Sequence, residues 1–240
     1  MTADELTGRT RSHVVELGAV GCVLHRDVAQ PFLDLRDAAR AAGYDLVAVS
    51  AFRDFDRQRS IWNGKFRGER PVLDRRGQLL DLRDWPAADR VNAILCWSAM
   101  PGASRHHWGS DFDVIDRKAL APNAAVELVP EAYCDDGPHA ALSVWLSENM
   151  ARFGFFRPYV SERAGVSPEP WHLSYAPVSV PALRQMTPAV LLEAWRASDI
   201  EGVEWLIDNV DMLHARYVAD IDTVDFVDRF QSVKSASTGV

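Results

Sequence analysis

The sequence predicts an α+β fold, because short strand patterns and longer helix patterns occur together along its 240 residues. The clearest strand candidates, residues 45–50 and 111–115, are short runs rich in β-branched and aromatic side chains. The helix candidates place apolar side chains three or four positions apart. With 48% hydrophobic residues, the chain can bury a sizeable core without disulfides.

The first predicted elements are two helices on either side of a strand. Residues 1–26 carry only a weak pattern, and no element is predicted there. A helix covers residues 30–42, and Gly43 follows it as a C-terminal glycine. Residues 45–50 form the strand. The second helix covers residues 54–65, and its first residue, an aspartate, can cap the free backbone N–H groups.

The middle of the chain contains a loop, a helix and a second strand. Residues 67–83 are rich in charge and turn residues, which indicates a loop or a hairpin. Residues 84–100 have helical spacing, and Pro101-Gly102 ends that helix. Residues 111–115 form a strand, and the Pro-rich residues 117–138 are irregular.

The second half begins with a helix and two further strand candidates. Apolar spacing predicts a helix over residues 140–153, and short aromatic runs predict strands at 154–159 and 171–175. Thr187-Pro188 is typical of a helix start. Residues 198–201 have the pattern of a capping box for another helix.

The charge distribution separates the C-terminal part from the rest. We expect a main domain at 1–180, an acidic helical extension packed on it at 181–230, and a flexible tail at 231–240. Residues 199–230 contain nine acidic residues and two arginines. We interpret their acidic face as solvated, with a dimer surface or a lid over a cleft as alternatives.

Composition excludes some functions. A net charge of −8 argues against nucleic-acid binding. The three cysteines are odd in number and lack metal-knuckle spacing, which indicates free thiols in a reducing compartment. The N-terminus lacks the apolar core of a signal peptide, and no run of about 18 apolar residues occurs. A cytoplasmic location is therefore predicted, whereas the oligomeric state is left open.

Two short stretches concentrate metal-binding side chains. Residues 104–113 read S-R-H-H-W-G-S-D-F-D, and residues 169–172 read E-P-W-H. In a strand, Asp111 and Asp113 share one face while the intervening Phe112 points to the core. The two stretches therefore offer imidazoles and carboxylates that could meet in space.

A catalytic zinc site requires three protein ligands, an open position for water and a nearby general base. Those ligands could be His106, Asp113 and His172, and Glu169 lies close enough in sequence to serve as the base. Gly109 would let the backbone turn between the first ligand and the strand. An isolated histidine is more often structural, so the hypothesis depends on the conjunction of both stretches.

Four separated motifs make the chain similar to a known family. Over roughly residues 30–175 it resembles the VanY-type D-alanyl-D-alanine carboxypeptidases, zinc metallopeptidases of the LAS or hedgehog-like fold. The resemblance implies a small antiparallel sheet that carries the zinc site, with helices on its flanks. The matching motifs are Ser50-Ala-Phe-Arg53-x-x-x-x-Gln58, Pro101-Gly-Ala-Ser104, Ser104-x-His106-x-x-Gly109-x-x-x-Asp113 and Glu169-x-Trp171-His172.

The resemblance implies a role for each matching residue. One zinc ion per chain would be bound by the three ligands named above. Glu169 would be the catalytic base and then the acid to the leaving amine. Arg53 would stabilise the oxyanion or hold the substrate carbonyl, although without the resemblance it reads as a surface ion-pair residue. Ser104 and Gln58 would contact the substrate, including its terminal carboxylate.

The chain departs from the family pattern at several positions. Asp111 stands where the family usually has alanine, and it could hydrogen-bond a ligand histidine or turn toward Arg105 or solvent. His107 is expected not to be a ligand, because neighbours in an extended loop point apart. Trp108 and Trp171 could line the pocket or belong to the core.

The predicted activity is removal of the terminal D-Ala from peptidoglycan-type stem peptides or muropeptides. An L,D-carboxypeptidase or an endopeptidase of the same family is an alternative. The lack of a wall-binding repeat or export signal favours soluble muropeptides as substrates. A catalytically silent zinc-binding module is a further alternative, although it would have no need for Glu169 and Arg53 together.

Overall fold

A four-stranded antiparallel sheet lies at the centre of the computed structural model, which describes residues 1–196 and 198–223. Its spatial order is β3-β6-β8-β7, and every neighbouring pair is antiparallel. Two small hairpins, β1–β2 and β4–β5, lie outside it. The strands are β1 (Val14–Leu17), β2 (Cys22–His25), β3 (Leu46–Ser50), β4 (Val72–Leu73), β5 (Leu79–Leu80), β6 (Asp111–Asp116), β7 (Phe155–Phe156) and β8 (His172–Tyr175).

Helices flank the sheet and continue beyond it. Short 3₁₀ turns connect several of these elements, including one at Arg105–Trp108 directly before β6. The α-helices of the described residues are α1 (Ala3–Leu6), α2 (Ala29–Ala41), α3 (Phe55–Phe66), α4 (Ala87–Ile94), α5 (Ala140–Asn149), α6 (Ala176–Gln185), α7 (Pro188–Trp195), α8 (Val203–Asp208) and α9 (Val210–His214).

One face of the sheet is apolar and is covered by α2 and α5. Phe112 is fully buried on this face, and its ring packs edge-on against Phe32 of α2 at 5.0 Å. Val114 and Leu173 belong to the same core cluster. Each such fully buried side chain contributes about 1.5–3 kcal/mol relative to exposure. This packing fixes the register of β6 and turns Asp111 and Asp113 toward the opposite face.

A second core joins the helices after the sheet to α3 and α4. Trp62 and Trp195 are both fully buried in this cluster. The Trp62 indole donates to the Glu201 carbonyl at 3.0 Å, and the Trp195 indole donates to the Pro101 carbonyl at 2.7 Å. The C-terminal helices therefore hold α3 and the chain just before the site.

The predicted α+β class is confirmed. The helix expected over 30–42, the strand expected over 45–50 and the helix expected over 54–65 correspond closely to α2, β3 and α3. Asp54 caps α3 by accepting from the Arg57 N–H at 2.8 Å. One expected helix was too long, and several elements carried no prediction. Residues 1–26 contain α1 and the first hairpin, the helix expected over 84–100 ends at Ile94, and α6 was not predicted.

The expected capping box at residues 198–201 is also wrong. Helix α8 begins only at Val203, after Gly202 in the left-handed region at φ 73°. The Ser198 hydroxyl instead donates back to the Ala194 carbonyl, and the Glu201 N–H donates to Asn63. Tertiary contacts with α3 therefore determine where this helix starts.

The predicted boundary at residue 180 stays a prediction, and it falls inside α6. The C-terminal part of the expected extension, residues 224–230, and the expected tail at 231–240 lie outside the described residues. Among the described helices, none combines the length and apolar character needed to cross a membrane.

Candidate active site

The sheet register places the metal-binding candidates side by side. On β6 and β8, Asp113 pairs directly with His172, and Asp111 pairs with Ser174. On the other side, Asp113 pairs with Ser50 of β3 after a register shift. Residues that pair across neighbouring strands have side chains on the same face of the sheet. Two stretches almost sixty residues apart thus meet on the polar face.

Three side chains converge on one point at this polar face of the sheet. His106, Asp113 and His172 each offer one ligand atom, and these atoms lie within 4.8 Å of one another. His106 Nε2 is 3.5 Å from Asp113 Oδ2, and His172 Nδ1 is 3.3 Å from Asp113 Oδ1. All three residues are buried. Two imidazoles and one carboxylate in this arrangement form a candidate metal site.

Hydrogen bonds on the far side of each histidine ring aim a lone pair at that point. His106 Nδ1 lies 3.0 Å from the Ala51 carbonyl, so it carries the proton and leaves Nε2 free. His172 Nε2 lies 3.1 Å from Asp111 Oδ1, which leaves His172 Nδ1 free. His172 Nδ1 and Asp113 Oδ1 are buried and have no hydrogen-bond partner. Buried polar atoms without partners are costly, and a cation between them would satisfy both.

Two of the three candidate ligands have charge states that suit a cation. Burial lowers the pKa of His106 to about 4, so this imidazole is neutral at pH 7. Burial alone would raise the pKa of Asp113, but His106, His172 and Arg53 outweigh it and keep that pKa below its usual value. Burial also opposes protonation of His172, yet three surrounding carboxylates raise its pKa well above the ordinary value. A proton and a metal ion would therefore compete for His172 Nδ1.

Glu169 lies beside the three ligands. Its Oε2 is 3.3 Å from His172 Nδ1, and the side chain is buried. Its backbone is fixed, because its N–H donates to the Tyr159 carbonyl at 2.8 Å and its carbonyl accepts from the His172 N–H. Burial raises the pKa of Glu169, which brings the carboxyl group closer to neutral pH. A general base that must later act as an acid requires such a shift.

Arg53 is fixed to the same segment from both sides of its backbone. Its N–H donates to the His106 carbonyl at 3.1 Å, and its own carbonyl accepts from His107 Nδ1 at 2.6 Å. The guanidinium group donates to Gln58 Oε1 at 2.7 Å and to Ser50 Oγ at 3.0 Å. The orientation of Arg53 is thus set before any ligand binds, as a preorganised oxyanion donor requires.

His107 has a structural role in this arrangement and lies outside the metal group. Its Nε2 accepts from the Gly102 N–H at 3.1 Å, so its Nδ1 carries the proton that bonds to Arg53. Gly109 follows in the left-handed region at φ 65°. A Cβ there would lie 2.7 Å from the backbone nitrogen of His25, so only glycine fits.

Asp111 adopts two of the arrangements expected for it at once. Its Oδ1 accepts from Arg105 Nε at 2.6 Å and from His172 Nε2 at 3.1 Å, and its Oδ2 accepts from Ser110 Oγ. Both Asp111 and Arg105 are buried. Arg105 also donates to Ser174 Oγ at 2.7 Å. This buried ion pair orients His172 from behind.

An open cleft of about 510 Å³ exposes the site. Ser104 and Trp171 line it together with Arg53, Glu169 and the three candidate ligands. Gln58 is fully buried instead, and its amide N–H donates to the Ala99 carbonyl at 2.7 Å. The described structure therefore gives Gln58 the position of a support for Arg53, and its expected substrate contact stays a prediction.

The two tryptophans near the motifs differ in position. Trp171 lines the cleft and stacks on Trp97, with ring centroids 6.1 Å apart. Trp108 is fully buried in the core, under the Arg105 guanidinium, and its indole donates to the Leu6 carbonyl. Only one of the two therefore forms a wall of the cleft.

Sequence reasoning missed two residues that border the ligands. Tyr159 packs edge-on against His172 with ring centroids 5.2 Å apart, and burial raises its pKa to about 12. Its loop is fixed by Asp222, whose carboxylate accepts from the N–H groups of Val160 and Ser161. Arg105 was considered only as a partner for Asp111. The bond of Arg105 to Ser174 and the anchoring of the Tyr159 loop by Asp222 have no local signal, because both join segments distant in sequence.

The fold and the site together define a metallopeptidase. A small antiparallel sheet presents two histidines and one aspartate around a single point, and a buried glutamate and a fixed arginine lie beside it in an open cleft. This set offers a candidate Lewis-acid position, a candidate base and a candidate oxyanion donor, a combination that suits peptide hydrolysis.

The chain belongs to the VanY family, described as D-alanyl-D-alanine carboxypeptidase, whose family model matches residues 21–178. A protein of Haemophilus influenzae described as uncharacterized is 35% identical over 127 residues, covering 52% of this chain and 95% of its own length. A D-alanyl-D-alanine carboxypeptidase of Enterococcus faecalis is 31% identical over 152 residues. That match covers 60% of this chain but only 46% of the Enterococcus protein.

A solved structure supports the fold assignment. The VanYB protein, crystallised in complex with D-alanine-D-alanine, superposes with a TM-score of 0.50 at 23% identity. The superposition covers 78% of this chain and 88% of that one. At this level of identity the similarity establishes the fold, and the expectation of a LAS-type α+β fold is confirmed.

Proposed function

We propose that the protein is a zinc-dependent D,D-carboxypeptidase that removes the terminal D-Ala from peptidoglycan-type stem peptides or muropeptides. One observation carries the proposal: His172 Nδ1 and Asp113 Oδ1 are buried without partners and face His106, directly beside Glu169. Family membership supplies the substrate class. Two nitrogen ligands and one oxygen ligand suit zinc, and one ion per chain is proposed.

Zinc, when bound by His106, Asp113 and His172, supplies a Lewis acid that polarises the scissile carbonyl and makes water more acidic. In the proposed reaction Glu169 removes a proton from the attacking water, whose oxygen bonds to the carbonyl carbon. Arg53 donates hydrogen bonds to the carbonyl oxygen as negative charge develops there. Glu169 then passes its proton to the departing amine, and the C–N bond breaks.

Ser104 and Gln58, the two residues expected to contact the substrate, have different surroundings in the structure. Ser104 lines the cleft, and no hydrogen bond of its hydroxyl group is observed within the described residues, so it is proposed to contact the substrate. Both ends of the Gln58 amide are bonded inside the protein, which supports a role in holding Arg53, and its expected contact with the substrate stays a prediction.

The proposal predicts chelator-sensitive release of D-Ala. The purified protein, incubated with peptides ending in D-Ala-D-Ala, is expected to yield peptides one residue shorter, as measured by mass spectrometry. A chelator should abolish product formation, and added zinc should restore it. Release from an L,D-terminated peptide alone would assign the L,D specificity instead. A zinc-loaded protein that cleaves neither peptide would indicate the silent binding module, although Glu169 and Arg53 beside the ligands argue against it.

Asp111→Asn is expected to weaken zinc binding by about 10- to 100-fold, the usual effect of losing a carboxylate behind a ligand histidine. The asparagine cannot provide the anionic acceptor that His172 and Arg105 share. Competition with a chromophoric chelator measures the dissociation constant. Asp116→Asn is the matched control, because Asp116 is a buried aspartate on the same strand. Its carboxylate accepts from the backbone N–H groups of Asp45 and Lys118, away from the candidate ligands. Equal zinc affinity in both variants and the wild type would contradict this role.

A further inference from the structure

Several cations line the cleft, and two neighbouring ones have no part in the proposed reaction. Lys65 and Arg70 both line it, together with Glu169 and the candidate ligands. The Lys65 ammonium group donates to Ser98 Oγ at 2.7 Å, and Ser98 is also part of the lining. Within residues 1–196 and 198–223, no carboxylate forms an ion pair with either cation. An ammonium group has three donors, so Lys65 retains two for a ligand.

Helix α3 relates Lys65 to the proposed oxyanion donor. Gln58, Ile61 and Lys65 lie three and four positions apart, on one face of the helix. Gln58 holds the Arg53 guanidinium group, while Ile61 and Lys65 line the cleft. Seven residues of helix correspond to about 10 Å along its axis. Lys65 is thus about two turns further along α3 than Gln58, the residue that holds Arg53.

Arg70 is folded back against the same helix. The N–H groups of Glu69 and Arg70 both donate to the Gly64 carbonyl, at 2.8 and 3.1 Å. A Cβ on Gly64 would lie 3.0 Å from Arg70 Cδ, so the glycine lets the arginine stem lie against α3 next to Lys65. The backbone therefore positions the second cation beside the first.

The electrostatic surroundings favour an anion at this place. Burial lowers the pKa of Lys65, the positive charges of Arg53 and Arg70 add to this effect, and Glu169 opposes it, so that the pKa is about 8. Neighbouring cations without a counter-ion repel each other, and an anionic ligand would remove that cost. A hydrogen bond between charged groups in a partly desolvated cleft is about twice as strong as one between neutral groups.

We infer that Lys65, Arg70 and Ser98 form an anion subsite of the cleft that binds a carboxylate group of the peptide substrate. The inference rests on the proposed function for the identity of the ligand. The carboxylate could be the terminal one or that of a side chain further along the peptide. Both sources share the same chemistry, and substrates amidated at one position or the other distinguish them.

The test measures peptide binding separately from cleavage. Calorimetry measures binding of a D-Ala-D-Ala peptide that carries a side-chain carboxylate. The proteins compared are the Glu169→Gln parent, which does not cleave the peptide, and the same parent with Lys65→Met, Lys65→Arg or Arg70→Met added. Lys65→Met should weaken binding by about 10- to 100-fold, the range for a lost charge-assisted hydrogen bond. Lys65→Arg should retain most of the affinity, since it keeps the cation. Lys118→Met is the control, because Lys118 is exposed and donates to the Gly43 carbonyl outside the cleft.

The peptide variants identify the carboxylate. Amidation of the carboxylate that Lys65 binds should weaken peptide binding to the parent Glu169→Gln protein. It should also abolish the difference in peptide affinity between that parent and its Lys65→Met variant. Amidation of the other carboxylate should leave this difference unchanged. Equal affinity of Lys65→Met and the Lys65 protein for the unmodified peptide, or no peptide binding, overturns the subsite. Wild-type cleavage is assayed in parallel. If the wild type cleaves the peptide but binding does not depend on Lys65, the proposed function stands and the subsite is wrong. If binding depends on Lys65 but no cleavage occurs, the subsite stands and the proposed function is wrong.

Discussion

Replacement of Glu169 by glutamine is expected to lower kcat by about 10²–10⁴-fold while zinc remains bound, the range that a general acid–base group contributes. Glutamine has the same shape but neither accepts a proton from water nor returns one to the amine. It also keeps the two backbone hydrogen bonds that place residue 169 beside His172. Since both proton transfers use the same carboxylate, its loss affects both steps.

The stability of this variant separates a chemical effect from a structural one. Burial raises the pKa of Glu169, so the ionised carboxylate is less favourable in the folded protein than in the unfolded chain. Glutamine removes that cost at pH values above the folded-state pKa, and the Tm should not fall. Glu148→Gln, an exposed glutamate on α5, is the matched control and should retain full activity. Near-normal kcat in zinc-loaded Glu169→Gln would show that another group is the base.

The polar face of the sheet illustrates how much of the site the sequence could predict. Strand alternation predicted that Asp111 and Asp113 share one face, because that periodicity is a property of any strand. Pairing between β6 and β8 was not predictable from local pattern, since register depends on packing of Phe112 and Leu173 against distant helices. The family resemblance supplied that long-range contact, and the structure brings the three proposed ligands together.

Other features depend on contacts that have no local signal. The first hairpin packs against Gly109, and its His25 N–H donates to the Gly109 carbonyl, so its stability comes from a segment far along the chain. The start of α8 follows from hydrogen bonds to Asn63. Lys65 could have been noticed from its spacing to Gln58 and Ile61 on α3. Only the folded cleft shows that no carboxylate of the described residues pairs with it.

The adjacent histidines, His106 and His107, allow the ligand assignment to be tested almost within one position. Both are buried, and burial lowers both pKa values, to about 4 and about 3. They differ in what their ring nitrogens contact. His106 bonds to a carbonyl through Nδ1 only and directs Nε2 at Asp113, whereas both nitrogens of His107 bond to backbone groups. Burial and charge are thus matched, and geometry alone distinguishes them.

His106→Ala is therefore expected to lose zinc, and with it the activity. Apparent zinc binding of about 10–16 kcal/mol in four-ligand sites amounts to roughly 3 kcal/mol per ligand, or a weakening of about 100-fold or more. Metal analysis after dialysis, with chelator competition, measures the effect. His107→Gln should retain zinc and lose stability. His214→Ala, on α9 away from the cleft, also removes a hydrogen bond to a backbone carbonyl, that of Met186, and should likewise retain zinc. One zinc ion per chain in His106→Ala, or its loss in His107→Gln with the fold intact, would contradict the ligand set.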